Sequence, residues 1–65
     1  MNGTPHIAAL PEADAATYLG FKPTTLRKWR WQGKGPTYVR TTRAVRYLVR
    51  DLDDWLSENR VERVA

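Results

Sequence analysis

Cysteine is absent from this chain of 65 residues, and histidine occurs once, as His6. Neither disulfides nor a thiolate-bound metal can therefore hold the fold together. A stable zinc site needs about four converging ligands, so we interpret His6 as a solvated side chain and expect no metal and no cofactor. A chain of this length forms one domain that buries only about 60% of its unfolded surface.

Long apolar runs are also lacking. No stretch approaches the roughly 20 residues of a membrane span. The N-terminus has no basic region before an apolar core, as a secretory signal would. We therefore expect a cytoplasmic protein with no membrane partner. A serine or cysteine beside a base, a glycine-rich phosphate loop and paired cleft carboxylates are missing too, which predicts that the chain is not an enzyme.

Acidic residues are missing from the middle of the chain. Residues 21–50 contain nine lysines and arginines and no aspartate or glutamate. Residues 1–20 carry two acids and no lysine or arginine, and residues 51–65 carry five acids and two arginines. A solvated basic surface is one interpretation, but such surfaces usually mix the two signs. Nine uncompensated cations instead favour an anionic partner, with nucleic acid first.

The turn-forming residues predict two short helices in close succession. The first covers residues 12–19, with Pro11 suited to its start and Gly20 to the left-handed position after its end. The second covers residues 25–32, with Thr24 as its N-cap. Two helices joined by a short glycine-containing turn are typical of a helix-turn-helix.

Two tryptophans in the second helix are predicted to face opposite sides. At about 100° per residue, Leu26 and Trp29 share the face that the core must cover. Trp31 lies on the other side with Arg27 and Lys28. Two interpretations of Trp31 stay open: it folds back over a neighbouring element, or it contacts the partner. Its indole could also stack on Arg27 as a cation–π pair.

Alternating β-branched and aromatic residues follow, and they predict a β-hairpin with strands over residues 37–41 and 44–48. A hairpin alone is marginal, so this one must pack on the helices. Its tip and outer face would carry three arginines, namely Arg40, Arg43 and Arg46.

The segment "VRDLDDWLSEN" predicts a third helix. Leu52, Trp55 and Leu56 form a stripe for the core. Its first turn is crowded with carboxylates, which favour the helix dipole. We interpret these carboxylates as a solvated helix start and not as a metal site, because they lie within one turn and do not converge. They are Asp51, Asp53 and Asp54.

The predicted fold is mostly α with a β-hairpin wing: helix, turn, helix, two-stranded hairpin, helix. This is a winged helix-turn-helix in a single DNA-binding domain over residues 1–65. We expect a flexible N-terminus over residues 1–9, a core over residues 10–58 and a tail over residues 59–65. Val61 and Val64 of the tail are candidate partner contacts. The candidate DNA contacts are Thr24, Thr25, Arg27, Lys28, Arg30, Trp31, Arg40, Arg43 and Arg46.

Residues 10–56 resemble the small winged helix-turn-helix proteins of the excisionase and MerR-like superfamily. The matching pieces are "AATYLG" at Ala15–Gly20, "TLRKW" at Thr25–Trp29, "GKGPTYVR" at Gly33–Arg40, "VRY" at Val45–Tyr47 and "DLDDWL" at Asp51–Leu56. The resemblance implies a recognition helix in the major groove and a wing in the minor groove. The wing turn "TTR" departs from the glycine or more basic residues often found there, and Trp31 stands where a cation is common.

Phage excisionases are the functional group that this resemblance favours. They bend attachment-site DNA and act with an integrase, so the expected partners are double-stranded DNA, an integrase and other copies of the chain on DNA. A small phage or prophage transcriptional regulator with the same DNA surface is the alternative. MerR regulators proper carry a long coiled-coil helix and an effector domain after this module, which this chain lacks, so we expect no small-molecule effector.

Overall fold

A computed structural model of the chain describes residues 8–62. His6, Val64 and the predicted flexible N-terminus before residue 8 lie outside the described residues. Three helices and a small antiparallel sheet form the winged helix-turn-helix that the sequence predicts. The elements are β1 (Ala9–Leu10), α1 (Glu12–Leu19), α2 (Pro23–Trp31), β2 (Val39–Arg40), β3 (Val45–Leu48) and α3 (Val49–Glu58).

The first helix has the predicted limits. Its end is set by Gly20, which adopts a left-handed conformation with φ of 84°. The amide of Gly20 donates to the carbonyl oxygens of Ala16 at 2.8 Å and Thr17 at 3.1 Å. These bonds satisfy carbonyls that the last turn would otherwise leave free.

The second helix begins two residues earlier than predicted. Pro23 occupies its first turn, and Lys22 stands before it in an extended conformation without a side-chain capping bond. The prediction of Thr24 as N-cap is therefore wrong. Proline suits the first helical position because its fixed φ is helical and its missing N–H has no partner there anyway.

The sheet has the strand order β1-β3-β2 with both pairs antiparallel. In one pair Leu10 lies opposite Tyr47, and in the other Val39 lies opposite Arg46. The amide of Val49 also donates to the carbonyl of Ala8 at 2.9 Å. The predicted flexible segment is therefore wrong at its last residues, where a two-residue strand is too short to show an alternating pattern.

The wing strands are shorter than predicted, and a threonine closes their turn. The amide of Thr41 donates to the carbonyl of Ala44 at 2.8 Å, and the amide of Ala44 donates to Oγ1 of Thr41 at 3.1 Å. The Thr41 side chain therefore stabilises the turn by a hydrogen bond with the backbone, in a hairpin that lacks the Asn-Gly sequence common in tight turns.

The core lies where α1, α2 and α3 meet the inner face of β3. Two adjacent alanines of α1 are completely buried, which lets the other elements approach this helix closely. Five further side chains pack around the centre: Leu10, Leu19, Trp29, Tyr38 and Val45. The fully buried residues are Ala15, Ala16, Leu26, Tyr47 and Leu52.

Three aromatic rings form a second cluster beside this core. The ring of Trp29 lies 5.0 Å from that of Phe21 and 5.4 Å from that of Trp55, measured between centroids. Trp29 therefore packs inwards, as the helical wheel predicts. The prediction for the third helix is only partly right, because Leu56 keeps 40% of its surface exposed. The face of α3 that packs on the core lies between Leu52 and Trp55, and Trp55 contacts the rings of Phe21 and Trp29.

The acidic segment of α3 does more than face solvent. The helix begins at Val49, so only Asp51 lies in its first turn, while Asp53 and Asp54 lie in the second, which corrects the predicted crowding. The hydroxyl of Tyr18 donates to Oδ1 of Asp53 at 2.6 Å and links α1 to α3. This hydrogen bond to a carboxylate raises the pKa of Tyr18, because it favours the neutral phenol.

Candidate nucleic-acid interface

The exposed face of α2 carries four side chains in one stripe. Their spacing of i, i+3, i+4 and i+7 puts them on the side of the helix opposite the buried Leu26. Together with Gln32 they line a shallow groove of about 350 Å³ whose walls are mainly carbon. We call Thr24, Arg27, Lys28 and Trp31 the recognition stripe.

Trp31 is 83% exposed, more than any other large hydrophobic residue among those described. The interpretation in which it folds back over the wing is therefore wrong, and that of partner contact stays open. The predicted stacking on Arg27 is also not formed. The guanidinium of Arg27 points to Glu12 instead, with 3.4 Å between Nη2 and Oε1.

Glu12 of α1 binds two arginines of α2 unequally. Its Oε2 lies 2.7 Å from Nη2 of Arg30, whose side chain is only 12% exposed, whereas the side chain of Arg27 is 55% exposed. The Arg30 guanidinium also lies 5.7 Å from the ring centroid of Tyr38. The hydrogen bond with Glu12 is the main cause that raises the pKa of Arg30. Arg30 therefore holds α2 on α1 and Tyr38, and its role as a DNA contact stays a prediction.

Arg27 differs from Arg30 because its ion pair is long and lies at the surface. Exposed ion pairs contribute little to stability, so the guanidinium of Arg27 can leave Glu12 for a phosphate or a base at small cost. Lys28 is exposed beside it. Thr25 is half-buried and lies off the recognition stripe, and its amide donates to the carbonyl of Lys22 at 2.9 Å.

The wing brings exposed arginines together at its tip. Arg40 and Arg43 are exposed, and both line a shallow depression of about 200 Å³ at the turn. Arg46 is half-buried on β3, where its Nη1 donates to the carbonyl of Val45 at 2.9 Å. Two of the three predicted wing arginines are therefore free to reach outwards, while Arg46 is held along its own strand.

Sequence reasoning missed two residues of this surface. Glu12 is one of the two acids of residues 1–20, and it sets the positions of two arginines of α2. No pattern along the chain reveals this, because the partners lie 15 and 18 positions away. Gln32 lies one residue beyond Trp31 at the end of α2, and its place in the groove could have been expected from that position.

The tail gives less information than the two basic elements. Val61 is exposed, and α3 ends at Glu58 before it. A role for Val61 and Val64 in partner binding stays a prediction. Within residues 8–62, no helix has the length and apolar character needed to cross a membrane.

An exposed cationic helix beside an arginine-bearing hairpin, on this arrangement of three helices, defines a winged helix-turn-helix of the DNA-binding class. Residues 12–60 match the family model described as "Helix-turn-helix domain", and the chain belongs to that family. It is thus a DNA-binding helix-turn-helix protein, of a family that is typically non-enzymatic. No curated protein matches the chain.

Proposed function

We propose that the chain is an architectural DNA-binding protein of the excisionase type. Helix α2 enters the major groove with the recognition stripe, and the wing reaches an adjacent minor groove or its backbone with Arg40 and Arg43. Bound in this way, the protein bends attachment-site DNA and helps an integrase to choose the direction of recombination. A small phage or prophage transcriptional regulator that uses the same surface is the alternative.

One observation carries the DNA-binding part of this proposal. The exposed cations lie on α2 and at the wing tip, which follow each other along the chain, and residues 21–50 themselves contain no acid. A major groove about 12 Å wide admits an α-helix. A narrow minor groove attracts arginine through its negative potential. The recombination part rests on the resemblance of residues 10–56 to excisionases.

We expect DNA affinity to fall steeply with salt, because bound lysines and arginines displace counterions from the phosphates. About five or six phosphate contacts give a log–log slope near −5. Arg27→Ala and Arg43→Ala should each weaken binding and make the slope shallower by about one unit. Fluorescence anisotropy over a sodium chloride series measures both quantities.

Arg60→Ala is the matched control for these variants. Arg60 is an exposed arginine beyond α3 that pairs with Glu62 at 3.4 Å, so its loss removes the same charge from outside the proposed surface. This variant should keep the wild-type slope. A wild-type slope shallower than about −2, or equal losses in all three variants, would contradict the assigned surface.

A footprint combined with a recombination assay separates the two functions. An excisionase protects attachment-site DNA and shifts an integrase from integration to excision. A regulator protects promoter DNA and leaves the recombination products unchanged. The second result would replace the excisionase proposal and leave the DNA-binding surface intact.

A further inference from the structure

A large apolar side chain stands at the C-terminal end of the recognition stripe, beside two cations. Trp31 exposes 83% of its surface, and its neighbours on the recognition stripe are Arg27 and Lys28. Exposed aromatic surface contributes nothing to the stability of the free protein. Its place beside the two cations suggests that the same ligand covers all three side chains.

The groove beside Trp31 has the chemistry of a small apolar site. Its walls are mainly carbon, formed by the indole together with the stems of the neighbouring side chains, and its volume is about 350 Å³. Arginine and lysine often line such surfaces with their methylenes while the charged ends stay in water. The groove therefore offers an apolar floor with two cations at its rim.

The DNA major groove contains one apolar group that fits such a site. Among the base edges exposed there, guanine, cytosine and adenine present hydrogen-bonding atoms, while thymine also presents its C5-methyl group. A helix that carries donors in the major groove therefore meets apolar surface chiefly at thymine. The cations of the same stripe complement the phosphates that flank that base.

We propose that Trp31 reads thymine, by packing its indole and the adjacent groove on a thymine C5-methyl group. This inference rests on the proposed DNA binding of α2 and adds the identity of a base that α2 selects. Arg27 and Lys28 supply the hydrogen bonds and charge that position the helix. Trp31 supplies the apolar contact.

Deoxyuridine tests the proposal directly, because it pairs as thymine does and lacks only the C5-methyl group. The first step is to select a binding site from a random DNA pool with the full chain. Each thymine of that site is then replaced in turn by deoxyuridine, and the dissociation constants are measured. We expect a loss of about fourfold at one or two positions, the value for about one buried methyl group, and no loss elsewhere.

The same measurement with Trp31→Ala assigns the contact to the indole. This variant should bind thymine-containing and deoxyuridine-containing DNA equally at those positions. Lys28→Ala is the control: it should weaken binding to both DNAs and keep their ratio at about four. Circular dichroism checks that both variants keep the wild-type fold.

Each other result overturns a defined part of the argument. Equal binding of the two DNAs by the wild type, with salt dependence intact, overturns the thymine proposal and leaves DNA binding standing. A ratio that survives Trp31→Ala shows that another residue contacts the methyl group. Trp31→Ala with unchanged affinity on every DNA shows that the indole makes no contact with DNA, which also overturns the thymine proposal. No binding to any DNA at low salt overturns the proposed function itself.

Discussion

At the scale of the residue, two tryptophans of one helix have opposite environments. Trp29 and Trp31 are two positions apart, so they point about 200° away from each other around α2. Trp29 packs among Phe21 and Trp55, whereas Trp31 is almost fully exposed. This difference could be predicted from the sequence because it depends only on the helical period.

The two arginines that flank Trp29 show where such prediction fails. The helical wheel places Arg30 nearer to the buried Leu26 than Arg27, but it does not show that Glu12 pairs with Arg30. Glu12 belongs to another helix, and the distance of 2.7 Å to Arg30 depends on how α1 packs on α2. Tertiary pairing of this kind leaves no local signal in the chain.

The contrast between the tryptophans predicts two different variants. Trp29→Ala should cost about 3–5 kcal/mol, enough to unfold a domain of this size, because it empties the contact between α2 and α3. Trp31→Ala should leave the thermal midpoint nearly unchanged. Thermal denaturation followed by circular dichroism measures both. Similar losses in the two variants would mean that Trp31 also stabilises the fold.

At the scale of the element, the end of a helix could be predicted where one residue cannot continue the helix. Gly20 ends α1 because its left-handed conformation suits glycine, and the limits of α1 were confirmed. The start of α2 was missed because both Pro23 and Thr24 are acceptable near a helix start. The strand β1 was missed because its two residues pair only with β3, far along the chain.

The turn after α2 is another place where an element depends on one glycine. Gly35 has φ of 89°, and a Cβ atom built there would lie 3.0 Å from Cβ of Trp29. The amide of Lys34 donates to the carbonyl of Trp29 at 2.9 Å, which holds the turn against the helix. The path from α2 into the wing is therefore tied to the position of Trp29.

Gly35→Ala should consequently destabilise the domain more than Gly20→Ala. Both substitutions impose a left-handed conformation on alanine, at a cost of about 1–2 kcal/mol. Only Gly35→Ala adds overpacking, at about 1–3 kcal/mol, because Gly20 faces open space. Urea denaturation of the two variants gives the difference in the free energy of unfolding. Equal costs would show that the turn can move away from Trp29 without strain.

At the scale of the whole molecule, charge is separated along the chain and only partly neutralised in the fold. Nine cations lie in residues 21–50. Glu12 pairs closely with Arg30, but its contact with Arg27 is long and exposed. The cations of the recognition stripe and the wing tip are exposed to solvent. The overall charge separation was evident in the sequence, whereas the pairing of Glu12 with Arg30 was not.

This separation predicts opposite effects of salt on folding and on binding. Like charges that repel one another destabilise the compact state, and salt screens exposed charges over a Debye length of about 8 Å at 0.15 M. In the absence of DNA, the thermal midpoint should therefore rise with sodium chloride, while DNA affinity falls. A gain of about 1 kcal/mol would raise the midpoint by about 4–8 °C in a domain of this size.

Calorimetry of the free protein over the same salt series as the binding measurements tests this expectation. Arg43→Ala removes one of the repelling charges at the wing tip, so its midpoint should start higher at low salt and rise less. A midpoint that falls with salt would mean that attraction in pairs such as Glu12 with Arg30 outweighs the repulsion among the exposed cations.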